Sequence, residues 1–153
     1  MQKMNPKQAL LRAENLCSQQ EKCRQDIREK LAKWEIGEKD IEKILHKLEA
    51  EKFIDESRYA EFFVRDKFRF NKWGKIKISF ALKQKKIPDH IIRSALESIP
   101  EEEYLETLTE ELQKKRKSIR GKNAWEIRNK LTRFAQQRGF EFGLIQSAID
   151  SII

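Results

Sequence analysis

The sequence predicts an all-α protein in which three tandem three-helix repeats, nine helices in all, form an elongated, curved array. Apolar residues recur at helical spacing along the chain, and the alternating apolar–polar runs of half-buried strands are absent. One apolar pattern also returns at a nearly fixed interval, which is the sequence signature of a repeat protein. Charged residues make up 38% of the chain, against roughly 25% in an average globular protein. We therefore expect a thin core and a large surface.

Six apolar positions of the first repeat recur fifty-one residues later, and again fifty-three residues after that, without a gap. In chain order the three sets are Ile27, Leu31, Ile36, Ile41, Leu45 and Leu48; Ile78, Leu82, Ile87, Ile92, Leu96 and Ile99; and Leu131, Ala135, Phe140, Ile145, Ile149 and Ile152. The pattern divides the chain into a first unit (1–53), a second unit (54–99) and a third unit (100–153). A three-helix unit is too small to hold a large core alone, so stacking on its neighbours should stabilise it.

Capping signals mark where the helices begin. Asn5–Pro6 combines a favoured N-cap with proline at the first helical position, and Pro88 and Pro100 suit first turns. The remaining signals are the capping-box spacings of Ser18 with Glu21 and of Asn123 with Glu126, and Asp55 as the N-cap of the fourth helix. The predicted helices are residues 6–17, 19–34, 38–51, 56–71, 75–85, 89–98, 101–119, 124–138 and 142–152.

Residue counts limit the classes of function. The chain carries 33 basic and 25 acidic side chains, a net charge of +8, which favours an anionic partner such as nucleic acid or an acidic protein face. Cys17 and Cys23 are six residues apart and far in sequence from His46 and His90, so we expect no metal site and no cofactor.

The same counts bear on the location of the protein. Two thiols without a dense cysteine framework suggest a reducing, cytoplasmic location. No stretch approaches the ~20 apolar residues of a membrane span, and the N-terminal residues lack the apolar region of a signal peptide. Nothing in the pattern demands self-association. We therefore expect a monomer that does not engage a membrane.

The segment KFIDESRYAEFFVRDKFRFNKWG, residues 52–74, combines seven aromatic side chains with a set of basic ones. On a helical wheel, apolar side chains occupy most of the circumference, which predicts a central helix whose aromatic residues are mostly core. Arg58, Arg65, Arg69 and Lys72 fall within about 60° of arc and form a narrow basic stripe. A solvated face explains this stripe as well as a surface that meets phosphates or carboxylates does.

Two further basic clusters follow. NKWGKIKISFALKQKK carries lysines that scatter around the fifth helix and form no stripe. In KKRKSIRGK, residues 114–122, the first four cations close a helix that opens with Glu101, Glu102 and Glu103. That polarity complements the helix dipole at both ends, so we interpret the third cluster as a source of helix stability.

The segment DESRYAEFFVRDKFRFNKWGKIKISFALKQKKI, together with the repeat, resembles the RecX family, bacterial regulators of the RecA recombinase. The residues that match the family's acidic pair, Arg-[Phe/Tyr]-Ala, Trp-Gly and basic helix are Asp55, Glu56, Arg58, Tyr59, Ala60, Trp73, Gly74, Lys77 and Ile78. CRQDIREKL is similar to the family's first unit and KLTRFAQQRGFEFGLIQSAI to its third, so the resemblance covers roughly residues 9–153. Family members often carry Gly at the turn after the second helix of each unit. Gly139 keeps it, whereas Glu35 and Lys86 replace it.

The resemblance implies a non-enzymatic role in recombination and DNA repair. RecX proteins bind the RecA filament on single-stranded DNA, lie in its helical groove, and suppress strand exchange, ATP hydrolysis and filament growth. Contact with single-stranded DNA would be weak or made through RecA. From helix phase and charge, apart from the family pattern, we predict six partner-facing residues: Arg58, Arg65, Arg69, Lys72, Lys75 and Lys77.

Two other classes of function stay open. A three-helix unit resembles helix-turn-helix architecture, so the protein could bind DNA independently of RecA. No helix carries the Arg/Asn/Gln cluster of a recognition helix, so such binding should be weak, salt-sensitive and sequence-blind. An enzyme would need a nucleophile and a base, and the two histidines lie in unrelated places. Cys17, close to a predicted helix start, is the candidate thiol, and a structural thiol or cap neighbour explains it better.

Overall fold

The computed structural model describes residues 4–153, which contain nine α-helices and no strand. The helices are α1 (Pro6–Gln19), α2 (Arg24–Lys33), α3 (Glu38–Ala50), α4 (Glu56–Asn71), α5 (Lys75–Gln84), α6 (Asp89–Leu96), α7 (Glu101–Ser118), α8 (Ala124–Gln137) and α9 (Phe142–Ile152). The predicted all-α class with tandem three-helix repeats is confirmed. The elongated, curved shape and the unit limits at residues 53 and 99 stay predictions, and residues 1–3 of the first unit and of the N-terminal segment lie outside the described part of the chain.

The repeat positions form the core. Sixteen of the eighteen recurring apolar residues are buried, and the other two, Leu96 and Ile152, are half-buried. The exposed faces of the same helices carry most of the charged residues. The spacing in the sequence therefore identified the side of each unit that faces inward.

The start of the second helix differs from the prediction. The Ser18–Glu21 capping box does not form, because α1 continues to Gln19 and the Ser18 hydroxyl donates to the Glu14 carbonyl at 2.9 Å. Instead, α2 begins after Cys23, whose backbone N–H donates to the Asp26 carboxylate at 3.3 Å. Cys23 is buried among residues of the second and third units. A tertiary contact therefore sets this boundary, and local capping preferences could not reveal it.

The other capping predictions fare better. A reciprocal capping box lies at the N-terminus of α1. The Gln8 N–H donates to the Asn5 side chain at 2.8 Å, and Pro6 is the first helical residue. Asp55 accepts from the Arg58 N–H at 3.0 Å, as predicted for the N-cap of α4. The Asn123 side chain accepts from the Glu126 N–H at 2.9 Å, but the Glu126 carboxylate returns to the Lys122 N–H, so the box is incomplete. Both Pro88 and Pro100 occupy N-cap positions, one residue before the predicted first turns.

The middle helix of each unit ends in the same turn. Glu35, Lys86 and Gly139 occupy the left-handed region with φ of 61°, 60° and 92°. The next residue's N–H then donates to a carbonyl five residues back, in the bonds Ile36–Leu31 (3.1 Å), Ile87–Leu82 (3.2 Å) and Phe140–Ala135 (3.1 Å). The missing glycines in the first two units therefore leave the turn geometry unchanged, although two non-glycine residues adopt a costly conformation.

The core is divided unequally among the units. One cluster consists of residues of the first unit together with Ile54, the first residue of the second unit; its first-unit members are Ala9, Ala13, Ile27, Leu31, Ile36, Ile41, Ile44, Leu45 and Leu48. The other cluster runs through both the second and the third unit. Tyr104 joins these two units, because its ring packs on Phe68 at 5.7 Å and on Phe140 at 5.3 Å between centroids.

Candidate partner-binding surface

Helix α4 separates its aromatic residues between the core and the solvent. Tyr59 and Phe68 are buried and Phe63 is half-buried, which agrees with the predicted central helix. Phe62 and Phe70 depart from that prediction, because they are 51% and 80% exposed. The apolar surface of α4 is therefore larger than the surface its neighbours cover.

The exposed phenylalanines accompany two of the predicted arginines. Phe62, Arg65 and Arg69 are spaced at three and four residues and therefore share one side of the helix, and Phe70 flanks them. We name Phe62, Arg65, Arg69 and Phe70 the outer face of α4. A solvent-exposed surface that combines large apolar and arginine side chains is typical of protein-binding sites.

The carboxylates near this face bind its arginines loosely. Arg65 lies 3.9 Å from Glu61 on the same helix, and Arg69 lies 3.8 Å from Glu103 at the start of α7. Both arginine side chains remain 57% exposed. Ion pairs this long and this exposed contribute little to stability, so a partner can compete for both guanidinium groups at low cost.

A shallow cavity lies beside the outer face of α4. It has a volume of about 270 Å³ and lies where the second unit meets the third, lined by Arg65, Arg69, Ser98, Pro100 and Glu103, with Phe68 and Ile99 beneath. The cavity gives the two arginines a concave border rather than a flat surface. A concave site with a few polar groups at its edge can hold one side chain of a protein partner.

Arg58, the first predicted site residue, is engaged inside the molecule. Its guanidinium Nε donates to both oxygens of Glu21 at 2.8 and 2.9 Å, and Nη2 donates to the Lys52 carbonyl at 3.1 Å. The Glu21 carboxylate raises the pKa of Arg58 further above its ordinary value. Arg58 thereby links the second unit to the first, a contact that helix phase alone could not show because Glu21 lies outside α4.

The three predicted lysines gather around the Trp73–Gly74 segment. Lys72 ends α4 in the left-handed region with φ of 58°. The ammonium group of Lys75 lies 4.8 Å from the centre of the Tyr104 ring, and that of Lys77 lies 4.6 Å from the centre of the Trp73 ring. These cation–π contacts orient the lysines. The partner-facing role of all six predicted residues stays a prediction.

The thiols do not have the properties of catalytic nucleophiles. Cys17 lies in the last turn of α1 and not at a helix start, and burial raises its pKa to about 11. Burial likewise raises the pKa of Cys23 to about 11. Both thiols are therefore protonated at neutral pH, whereas a reactive cysteine is a thiolate.

The structure also bears on the expectations about metals and membranes. Among residues 4–153, no three His, Cys, Asp or Glu side chains come together where they could hold a metal ion. The same part of the chain contains no helix that is both long and apolar enough to span a membrane.

The helix order and the surface of α4 together define the class of protein. It is a tandem array of three-helix units with an exposed basic and aromatic face.

Comparison with known proteins shows the family. Models of the three RecX three-helix domains match this chain one after another, the first at residues 9–48, the second at residues 55–96 and the third at residues 101–149. The chain therefore belongs to the RecX family.

Individual relatives agree with the family models. Regulatory protein RecX of Clostridium acetobutylicum is 36% identical over 135 residues, which cover 86% of this chain and 62% of that protein. Regulatory protein RecX of Bacillus mycoides is 28% identical over 144 residues, covering 94% of this chain and 53% of the relative. The chain thus spans between about half and two-thirds of the length of these curated relatives. The crystal structure of RecX from Lactobacillus salivarius is similar with a TM-score of 0.84 and 26% identity, over 95% of both chains.

Proposed function

We propose that this protein is a non-enzymatic regulator that binds the RecA filament on single-stranded DNA and inhibits ATP hydrolysis, recombination and filament growth. The observation that carries the proposal is the match of all three units to RecX domains, because relatives of this family are named as regulatory proteins. The protein would act as a monomer in the cytoplasm and without a cofactor.

The outer face of α4 is the surface that we propose for contact with RecA. It combines exposed arginines, whose ion pairs are long, with two exposed phenylalanines and a neighbouring cavity. Large aromatic and arginine side chains supply most of the binding energy at protein interfaces. Lys72, Lys75 and Lys77 extend the positive charge toward the third unit, and repeated units would let several weak contacts add through effective concentration.

The test of the function is single-strand-dependent ATP hydrolysis by RecA of the same organism, with this protein titrated well below one copy per RecA subunit. We expect strong inhibition at these low ratios, because a protein that blocks filament growth acts on many subunits at once. Inhibition that requires enough protein to saturate the DNA would indicate simple competition for the strand. If ATP hydrolysis is unchanged at every ratio, the proposed function is wrong. A sequence-specific footprint on duplex DNA would then favour the alternative, a DNA-binding protein independent of RecA.

The test of the surface is the double variant Arg65→Glu/Arg69→Glu. We expect it to lose inhibition while helix content and the melting temperature stay close to those of the unchanged protein, since both side chains are exposed and weakly paired. The matched control is Lys83→Glu/Arg93→Glu, which makes the same charge change at exposed positions elsewhere on the second unit. Equal inhibition by the two variants would show that the outer face of α4 is not the contact surface.

A further inference from the structure

Four cations of the third unit converge on one cleft. The C-terminal end of α7 and the segment after it supply Lys115 and Arg120, and helix α8 supplies Lys130 and Arg133. The cleft between them has a volume of about 440 Å³ and is open to solvent. Its lining includes no carboxylate. We name this site the α7–α8 cleft.

Helix stability does not explain this arrangement. The helix dipole accounts for cations in the last turn of α7, such as Lys115. Arg120 lies beyond that helix, and Lys130 and Arg133 belong to α8, so their convergence on α7 is a tertiary feature. Within the described residues, neither Arg120 nor Arg133 has a carboxylate within the 4.0 Å of a salt bridge, and Lys130 pairs with the half-buried Glu126 at 3.3 Å.

The repeat provides an internal comparison for this cleft. An equivalent groove of about 400 Å³ lies between α1 and α2 of the first unit, and Lys85 of the second unit completes its lining. The positions that correspond to Lys130 and Arg133 are Asp26 and Glu29, which also line their groove. The first-unit groove thus sets two carboxylates among its lysines, whereas the third-unit cleft has none. Since both units fold in the same way, folding does not require that the cleft of the third unit lack a carboxylate.

The chemistry of the cleft favours a phosphate backbone over a protein surface. Its apolar lining consists of the half-buried Ile119 and Phe134, and the Phe134 ring is already covered by Lys115 at 5.3 Å and Arg138 at 4.9 Å. It therefore has no empty apolar pocket of the kind that anchors a protein partner. A polyanion needs no such pocket, because release of its counterions drives binding, and guanidinium groups match phosphate geometry.

We propose that the α7–α8 cleft is a binding site for the phosphodiester backbone of single-stranded nucleic acid, read without regard to sequence. A flexible single strand can bend to place its phosphates in a short cleft, whereas bending a stiff duplex in the same way costs energy. The proposal rests on the proposed function for its biological setting, since a RecA regulator works beside single-stranded DNA. Its test uses DNA alone, so either proposal can fail without the other.

The experiment is fluorescence anisotropy of a labelled oligothymidylate with the full chain, over a range of salt concentrations. The variant is Arg120→Glu/Arg133→Glu. It leaves the contact of the Lys130 ammonium with the Arg120 backbone carbonyl in place. We expect affinity at low salt to fall on the order of tenfold. The slope of log K against log salt should also become shallower, by about 0.7 for each phosphate that the variant no longer neutralises.

The control is Lys30→Glu/Lys33→Glu in the equivalent groove of the first unit, which changes the net charge by the same amount. We expect this control to weaken binding far less. If both variants lose equal affinity, only net charge matters and the proposal is wrong. If the cleft variant binds oligothymidylate normally but no longer inhibits RecA, the cleft is a protein surface and the proposal is also wrong. Circular dichroism and the melting temperature verify that both variants are folded.

A second measurement separates backbone from base recognition and needs no variant. An oligothymidylate with an uncharged methylphosphonate backbone keeps every base but removes the phosphate charge. We expect no detectable binding of this probe. Binding comparable to that of the ordinary oligonucleotide would mean that bases are recognised, which contradicts the proposed site.

Discussion

The two junctions between units join equivalent helices but differ in the interactions that hold them together. Between the second and third units, the backbone at the start of α5 meets the backbone after α8, where the Gly74 N–H donates to the Arg138 carbonyl at 2.6 Å and the Ile76 N–H to the Gly139 carbonyl at 3.0 Å. Between the first and second units, the start of α2 meets the end of α5 through side chains, with Asp26 and Lys85 at 2.6 Å. One junction is therefore made by direct backbone bonds and the other largely by ion pairs.

Glycine explains why the two backbones come closer together at the junction of the second and third units than at the junction of the first and second. A Cβ atom on Gly74 would lie 2.4 Å from the backbone of Gly139, and one on Gly139 would lie 2.3 Å from the Cβ of Lys77. The corresponding residues of the first junction, Cys23 and Lys86, both carry side chains, so that junction has no such backbone contact. Gly139 is thus needed for space as well as for its positive φ. Lys86, in the same turn, has no such steric requirement.

The cores reflect the same contrast. The larger core cluster runs through the second and third units, and Cys23 is its one member from the described part of the first unit. Glu21 and Asp26 connect the first unit to the others through partly exposed ion pairs. The second and third units should therefore unfold together, and the first should separate from them at lower cost.

The largest expected effect is that of Gly74→Ala at the backbone junction. The new methyl group meets backbone atoms that cannot rotate away, so we expect a loss of roughly 3 kcal/mol in the free energy of unfolding, the upper end for overpacking. Urea denaturation monitored by circular dichroism measures it. The control is Gly37→Ala, another N-cap glycine, with nothing within 4 Å of its added Cβ. Equal losses would mean that capping, and not the close approach, determines the cost.

Tyr104→Phe should have the next largest effect. The Tyr104 hydroxyl donates to Glu141 and accepts from the Lys75 N–H at 3.0 Å, so its removal leaves two half-buried groups without a partner. We expect a loss of about 1–2 kcal/mol. Combining it with Glu141→Gln in a double-mutant cycle measures the coupling. Simple additivity of the two changes would show that the Tyr104 hydroxyl and the Glu141 carboxylate are not energetically coupled, which would contradict the hydrogen bond between them.

The first junction should respond to pH and salt. Burial opposes ionisation of Asp26, but the Lys85 ammonium outweighs it and lowers the pKa of the carboxyl. The resulting stabilisation is present at neutral pH and is lost as pH falls below the ordinary value near 4 and through the lowered pKa. Glu56 acts in the opposite direction, because burial raises its pKa and its protonation favours the folded state.

Hydrogen exchange can distinguish the stability of the first unit from that of the second and third units. Asp26→Asn should cost about 1 kcal/mol or less, since the ion pair is partly exposed. The protection factors of amides in α1–α3, which are corrected for the intrinsic exchange rate at each pH, should fall in this variant and in the unchanged protein at high salt or low pH, whereas those of α4–α9 should change little. A uniform fall in protection across all nine helices would show that the units unfold together.

The contrast between the junctions also shows where sequence reasoning stops. The apolar repeat located the second and third helices of each unit, and helical spacing together with capping residues located the first, because burial on one face fixes a local period that is visible in the chain. The local pattern could not pair Arg58 with Glu21, Asp26 with Lys85, or bring Lys130 and Arg133 to the end of α7, since such contacts depend on how helices and units pack in three dimensions. The exposed Phe62 left a weak signal in its spacing from Arg65 and Arg69, but local patterning could not establish that no neighbour covers it.

The smallest expected effect is a gain of stability at a turn of the looser junction. Lys86 adopts a φ of 60°, which costs a non-glycine residue about 1–2 kcal/mol. Lys86→Gly removes this strain but adds backbone freedom to the unfolded chain, so the net gain should be about 0.5–1 kcal/mol. The matched change in the third unit is Gly139→Ala, in the same turn. Gly139→Ala places a side chain on a residue with positive φ and brings its Cβ into a clash with Lys77. It should therefore destabilise the protein by several times the amount that Lys86→Gly gains. If Lys86→Gly instead lowers the melting temperature, the Lys86 side chain must stabilise the contact between the first and second units, and that junction would depend on more than its ion pairs.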